Sequence, residues 1–233
     1  MRGHKTANTL VELAAHNNAE WCDIVCKANG APGHFDNSLW HSVHEVPRYY
    51  PNIVSLNPNC SLEKIHPLLQ QIPGKISIKD SYNALDLAVL GFTKLFDAQW
   101  LLAPEPGNPP LDYQLITNVP ELIQWEIAWG SGAVSGIFKQ EILSNESVRF
   151  IAIYQKDQLV AGAVAHKSEG VIGLSNVFIL SHDPKNCWLT CLAAAQTLDD
   201  NLPVVAYERG DVLAFVQSIG FNALGPLSVW IKT

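Results

Sequence analysis

The chain has 233 residues, 48% of them hydrophobic and 16% charged, proportions that suit a globular protein with one large or two small cores. A formal net charge of -7 leaves no basic field to release counterions from nucleic acid, which excludes DNA or RNA as the main partner class. Residues 1–5 (MRGHK) run into mixed polar sequence rather than a secretory signal, and no stretch is apolar enough to span a bilayer, so a cytoplasmic protein with no membrane partner is expected.

Residues 7–29 predict one or two helices, with Leu10, Leu13, Trp21, Val25 and Cys26 apolar and Gly30 as the stop. The next twenty residues collect His34, Asp36, Trp40, His41, His44, Glu45, Arg48, Tyr49 and Tyr50, a mixture that suits a small-molecule cleft or the cover of a sheet edge. His41 and His44 are three apart and would share a helix face, but no third ligand is fixed by spacing and no metal is expected. Residues 52–56 then read as a strand, 61–72 as a helix, 75–79 as a strand and 84–90 as a helix; Gly91-Phe92 leads into a strand ending near Trp100.

Residues 104–110 (PEPGNPP) can continue neither helix nor sheet ladder, so the domain boundary is placed there: 1–103, a linker 104–111, and 112–233. Downstream, 112–118 predicts a strand, 120–129 a helix entered through proline, and 137–143 a second helix after the glycines Gly130, Gly132 and Gly136. Three strands follow at 149–154, 159–165 and 171–180, joined by short turns as antiparallel hairpins. Asp183 and Pro184 mark a helix start, and Cys187, Trp188, Cys191, Leu192, Ala195 and Leu198 keep one apolar face. Residues 202–208 read as a buried strand, 211–219 as a helix closed by Gly220, and 224–232 as a final strand containing Trp230. The five cysteines include two pairs spaced by four, one helical turn, where free cysteine serves as a small buried apolar residue in a reducing compartment.

This order of strand, two helices, three strands, helix, strand, helix, strand resembles the GNAT superfamily of acyltransferases. The resemblance rests on VIGLSNVFIL, then a helix, then PVVAYERG, and on Gly220-Phe221 leading into the closing strand. It implies an α/β (α+β) fold with a mixed sheet flanked by helices, and transfer of an acetyl group from acetyl-CoA to an amine. Residues 48–103 echo the same order through Gly91-Phe92, with a spacing to tryptophan that differs by one. As a true repeat they would resemble the C-terminal half of a second GNAT unit, a tandem or pseudo-duplicated arrangement, with Trp100 near Trp230.

Residues that match the family's motifs are sparse. Its pyrophosphate loop, Arg/Gln-x-x-Gly-x-Gly/Ala at a helix start, corresponds to SHDPKNCW at 181–188, with no glycine between Gly173 and Gly210. Asp183 puts a carboxylate there and Pro184 removes a donor, leaving Lys185, Asn186 and His182 to meet an anion, so acetyl-CoA is expected to bind weakly or not at all. The pantetheine arm would lie along Asn176, Val177, Phe178 and Ile179. In place of the family's glutamate the central strand offers Ser175 and Asn176, and in place of its tyrosine stands Val216. The candidate catalytic groups are therefore Glu208 and Tyr207 at one strand end and His182 at the other. The alternative is a non-catalytic scaffold that binds a ligand or partner.

Overall fold

The computed structural model describes residues 7–132 and 136–233. The sequence opening at residues 1–6 and part of the glycine-rich break, residues 133–135, lie outside the described residues.

A single helix, α1 (Ala7–Ala28), takes the first segment, and Gly30 follows it in the left-handed region at φ 77°. The polar stretch after it holds two short strands, β1 (His34–Phe35) and β2 (Leu39–His41). His41 thus ends a strand, and with His44 lying beyond it the two do not share a helix face. His41 instead faces His34 across the β1–β2 pair, with ring centroids 5.6 Å apart. Next come β3 (Ile53–Ser55), α2 (Leu62–Leu69), β4 (Ile76–Asp80), a 3-10 turn at Leu87–Leu90 and β5 (Thr93–Leu102). Residues 103–113, which include the Pro-rich segment, form neither helix nor strand.

Beyond it lie β6 (Gln114–Leu115), α3 (Val119–Trp129), β7 (Val148–Gln155), β8 (Gln158–Ser168) and β9 (Val171–Ile179). Then follow α4 (Pro184–Gln196), β10 (Val204–Glu208), α5 (Gly210–Ser218) and β11 (Asn222–Lys232). Three expectations shorten: the strand at 112–118 pairs only at Gln114 and Leu115, and the helices at 84–90 and 137–143 are 3-10 turns at Leu87–Leu90 and Gln140–Ser144. Ahead of the latter turn the Ile137 N–H donates to Glu126 Oε1 of α3 at 2.7 Å.

All eleven strands form one sheet in the order β1-β2-β3-β4-β11-β5-β10-β9-β8-β7-β6. β7, β8 and β9 are the antiparallel meander expected from their turns, and β9 lies parallel to β10 with α4 as the crossover. Strands from the two sides of the Pro-rich segment interleave, because β11 inserts between β4 and β5 while β5 inserts between β11 and β10.

The interleaving is two-fold pseudosymmetric. β3 is parallel to β4 as β9 is to β10, and β5 pairs antiparallel with β11 around a central Ala98–Leu227 pair. Both partners carry a bulge at matching distance from that centre, at Leu95 and Leu224. Gly91 and Gly220 precede β5 and β11 with φ of 80° and 108°, and the phenylalanine that follows each, Phe92 and Phe221, is buried just ahead of its strand. The Phe92 N–H donates to Leu87 O at 3.2 Å and the Phe221 N–H to Val216 O at 3.1 Å, so the two Gly-Phe pairs occupy equivalent places. Trp100 and Trp230 do not. The one-residue difference in spacing matters in a strand, where successive side chains face opposite ways. Trp100 joins the cluster under α1, and Trp230 joins Ile65, Ile78 and Phe92 on the α2 side.

The hydrophobic clusters lie on both faces. Trp21, Trp125, Phe138, Phe150 and Phe178 pack together under α1 and α3, where Trp125 meets Phe150 edge-on at 5.2 Å. On the other face Cys187, Trp188, Cys191 and Leu192 of α4 cover β7 to β10. All five cysteines are free and buried. Among the described residues no helix is long and apolar enough to cross a membrane, and no group of three or more His, Cys, Asp or Glu is arranged to hold a metal.

Candidate active site

The parallel ladder between β9 and β10 is short: Ile172 pairs with Val204 and Gly173 with Val205, and past those the strands separate. The separation begins where β9 changes. Its register against β8 shifts between the Gly162 and Val164 pairs, and Asn176 sits in the left-handed region at φ 51°. Asparagine tolerates that conformation better than most residues, and a bulge leaves a backbone group without a ladder partner. The extra residue also puts Ser175 and Asn176 together at the cleft, with Ser175 Oγ donating to Asn176 Oδ1 at 3.1 Å.

Helix α1 closes the cleft on one side. Asn17 Nδ2 donates to His166 O and to Ser168 Oγ, each at 2.9 Å. Gly173 is required beneath it, since a Cβ there would fall 2.0 Å from Asn17 Oδ1. One turn later Trp21 Nε1 donates to Asn176 Oδ1 at 3.0 Å, fixing the bulge from above.

A cavity of about 250 Å³ opens where the strands part, lined by Trp21, Tyr50, Lys79, Asn176, Tyr207 and Glu208 among others. Through Tyr50, Lys79, Tyr207 and Glu208 it adjoins a larger one of about 850 Å³ over β4, β5 and β11. Burial raises the Glu208 carboxyl to about 7, with the Arg209 backbone N–H and guanidinium acting the other way, so near neutral pH it passes between acid and base. Lys79 Nζ donates to Asn18 Oδ1 at 2.7 Å and to Tyr207 Oη at 3.2 Å, and lies 4.3 Å from the centre of the Tyr207 ring. Burial pushes the Tyr50 hydroxyl well above the usual phenol range and raises the Cys22 thiol to about 11, so both remain protonated.

Of the residues expected from sequence, Glu208, Tyr207, Asn176 and Val177 line the smaller cavity together. Phe178 turns under Trp125, ring centroids 5.2 Å apart, and Ile179 packs toward α4. His182 and Lys185 are exposed on the α4 side and line neither of the two cavities. At the start of α4, Asp183 accepts from the Asn186 backbone N–H at 3.3 Å and from Asn186 Nδ2 at 2.8 Å, so both groups there already serve as a cap.

Asn18, Trp21 and Lys79 were missed because they converge on the cleft from two separate segments, α1 and β4, whereas Tyr50 belongs to the polar stretch expected to suit a small-molecule cleft. Lys79 alone left a local signal. In KISIK it alternates with Ile76 and Ile78, and that pattern reads as a solvated strand face until α1 covers it.

No protein-family model matches the chain, and no curated protein does. Solved structures do. The chain is similar to a GCN5-related N-acetyltransferase from Kribbella flavida, at 12% identity and TM-score 0.64, over 94% of this chain and 95% of that one. It is also similar to a protein from Novosphingobium aromaticivorans assigned to the GNAT family, at 11% identity and TM-score 0.57, over 93% and 97%. A conserved protein of unknown function from Staphylococcus epidermidis aligns at 14% identity and TM-score 0.57, over 83% of each chain. The first two likenesses take in both halves of the interleaved sheet, and this chain has the fold of the GCN5-related N-acetyltransferases.

Proposed function

We propose that the protein is an acyl-CoA-dependent acyltransferase that acetylates a small amine, with Glu208 as general base. The observation that carries this reading is a half-buried carboxyl raised to about 7 beside a strand bulge, at the split of a parallel strand pair in this fold. Acetyl-CoA would supply the thioester to be opened.

Each step falls to a named group. The bulge at Asn176 leaves a backbone group free to orient the thioester in the cleft. Glu208 takes the proton that the amine gives up as its nitrogen bonds to the acyl carbon. As the carbon–sulfur bond breaks, Tyr207 returns a proton to sulfur. Its oxygen already accepts from Lys79, so its own hydrogen is free to point into the cleft.

The occupied start of α4 favours a second reading, a ligand-binding scaffold without turnover, because the pyrophosphate would meet Asp183. Calorimetry with acetyl-CoA and thiol release over a panel of amines separate the two. Catalysis requires release that falls on the order of a hundredfold or more in Glu208→Gln. Absence of release with every amine would leave the scaffold reading.

A further inference from the structure

Two polar groups at the junction of the cavities keep a donor without an acceptor. Lys79 is 5% exposed, and of its three N–H donors one goes to Asn18 and one to Tyr207. Among the described residues the third has no acceptor and no carboxylate forms an ion pair with Lys79. Tyr50 is 6% exposed, and its hydroxyl makes no hydrogen bond of acceptable geometry, although the Asn176 amide lies close by. A buried ammonium without counter-charge and a buried hydroxyl without an acceptor are both costly, and both would be relieved by the same ligand. Both residues line the two cavities, as Glu208 does.

We propose that Lys79 and Tyr50 bind a carboxylate carried by the acceptor, which makes the acceptor an amino acid or amino-acid-like amine with an apolar body. This rests on the acyltransferase reading above. One carboxylate oxygen accepts the free Lys79 N–H and the other accepts the Tyr50 O–H, while the amine is directed to Glu208. The body occupies the cavity of about 850 Å³, whose apolar wall includes Phe96, Val229 and Ile231. Arg48, Lys75 and Arg209 on that cavity, with Lys79, outnumber Glu45 and Glu208, in a chain whose net charge is -7. A locally cationic cavity in an acidic protein selects an anionic ligand.

The test is calorimetry on the full chain with N-acetyl-L-phenylalanine and its carboxamide, product-like probes that need no turnover. The expected result is that the acid binds at least about tenfold more tightly than the amide, as loss of charge-assisted bonds dictates. Lys79→Met and Tyr50→Phe should each bring that preference toward unity; Tyr50→Phe keeps the ring and guards against a Lys79 variant that does not fold. Equal affinity for the two probes, binding of neither, or a preference untouched in folded variants would overturn the proposal. A carboxylate preference that persists while every amine fails to release thiol would instead count against the acyltransferase reading alone.

Discussion

Asp80 and Glu208 hold the same station in the two halves of the sheet, yet one carboxylate is consumed by its surroundings and the other is not. Asp80 pairs with Ser228 on β11, Glu208 pairs with Gln99 on β5, and the pseudosymmetry axis relates those partners. Asp80 is buried and accepts from Ser55 Oγ at 3.3 Å, the Tyr82 N–H at 3.2 Å and the Leu85 N–H at 2.8 Å, which closes the turn beyond β4. Glu208 faces a cavity instead, and burial disfavours its charge.

Substitutions at these positions should therefore move stability in opposite directions. Asp80→Ala strands buried donors and is expected to cost about 3 kcal/mol in urea unfolding at pH 8. Glu208 has a folded-state pKa of about 7 against an ordinary 4.5, so the native state binds the extra proton and wild-type stability falls as pH rises between those values. Glu208→Gln removes that penalty: its stability relative to wild type should rise by about 2–3 kcal/mol from pH 4 to pH 8. A flat difference across that range would show that Glu208 is not desolvated.

The same carboxyl sets a pH profile. The ratio of wild-type to Glu208→Gln kcat/KM should climb roughly tenfold per pH unit below about 7 and level off above it, since only wild type has a base to unmask. Taking the ratio cancels titration of the amine, which both proteins share. A pH-independent ratio would remove Glu208 from the role of base.

Asn176 is predicted to serve through its backbone as much as its side chain. Asn176→Gly keeps the left-handed conformation and loses only the Trp21 and Ser175 hydrogen bonds, a cost of about 1 kcal/mol with activity largely kept. Asn176→Val forces a β-branched residue to positive φ and should cost about 1–3 kcal/mol more while flattening the bulge. Denaturation and thiol release on both variants check this, and equal effects would mean the bulge is not what the cleft depends on.

Local pattern carried the β7–β8–β9 meander, the parallel β9–β10 pair across α4, and the cap at Asp183, because hairpin turns, a crossover helix and an N-cap are set by neighbours in sequence. The exchange of β5 and β11 was not legible, since strand order in a sheet is decided by pairing between segments more than a hundred residues apart. The tryptophan mismatch has a simple cause: one residue of register exchanges the faces of a strand, so Trp100 and Trp230 look alike in spacing and point to opposite cores. In the site, Glu208 and Tyr207 were found because they end a buried strand beside the split. Tyr50 stood in the polar stretch expected to suit a cleft, but Lys79 and its place beside Tyr50 became visible only once α1 and the opposite half of the sheet had closed around them.

The remaining prediction concerns the start of α4. Backbone N–H groups at a helix N-terminus attract a pyrophosphate, but here Asp183 Oδ1 accepts from Asn186 N, Oδ2 accepts from Asn186 Nδ2, and Pro184 contributes no donor. An incoming pyrophosphate meets like charge and a side chain already in place, with exposed Lys185 as the nearest compensation in sequence. Wild type is therefore expected to bind acetyl-CoA with a dissociation constant of hundreds of micromolar or weaker, because each charge-assisted bond lost costs about 1.5–3 kcal/mol. Asp183→Gly should tighten binding by about tenfold or more while lowering helix stability by only a few tenths of a kcal/mol, since glycine is itself an acceptable N-cap. Calorimetry on both proteins decides the matter: wild-type affinity of about ten micromolar or better, unchanged in Asp183→Gly, would mean that Lys185 and the remaining amides suffice.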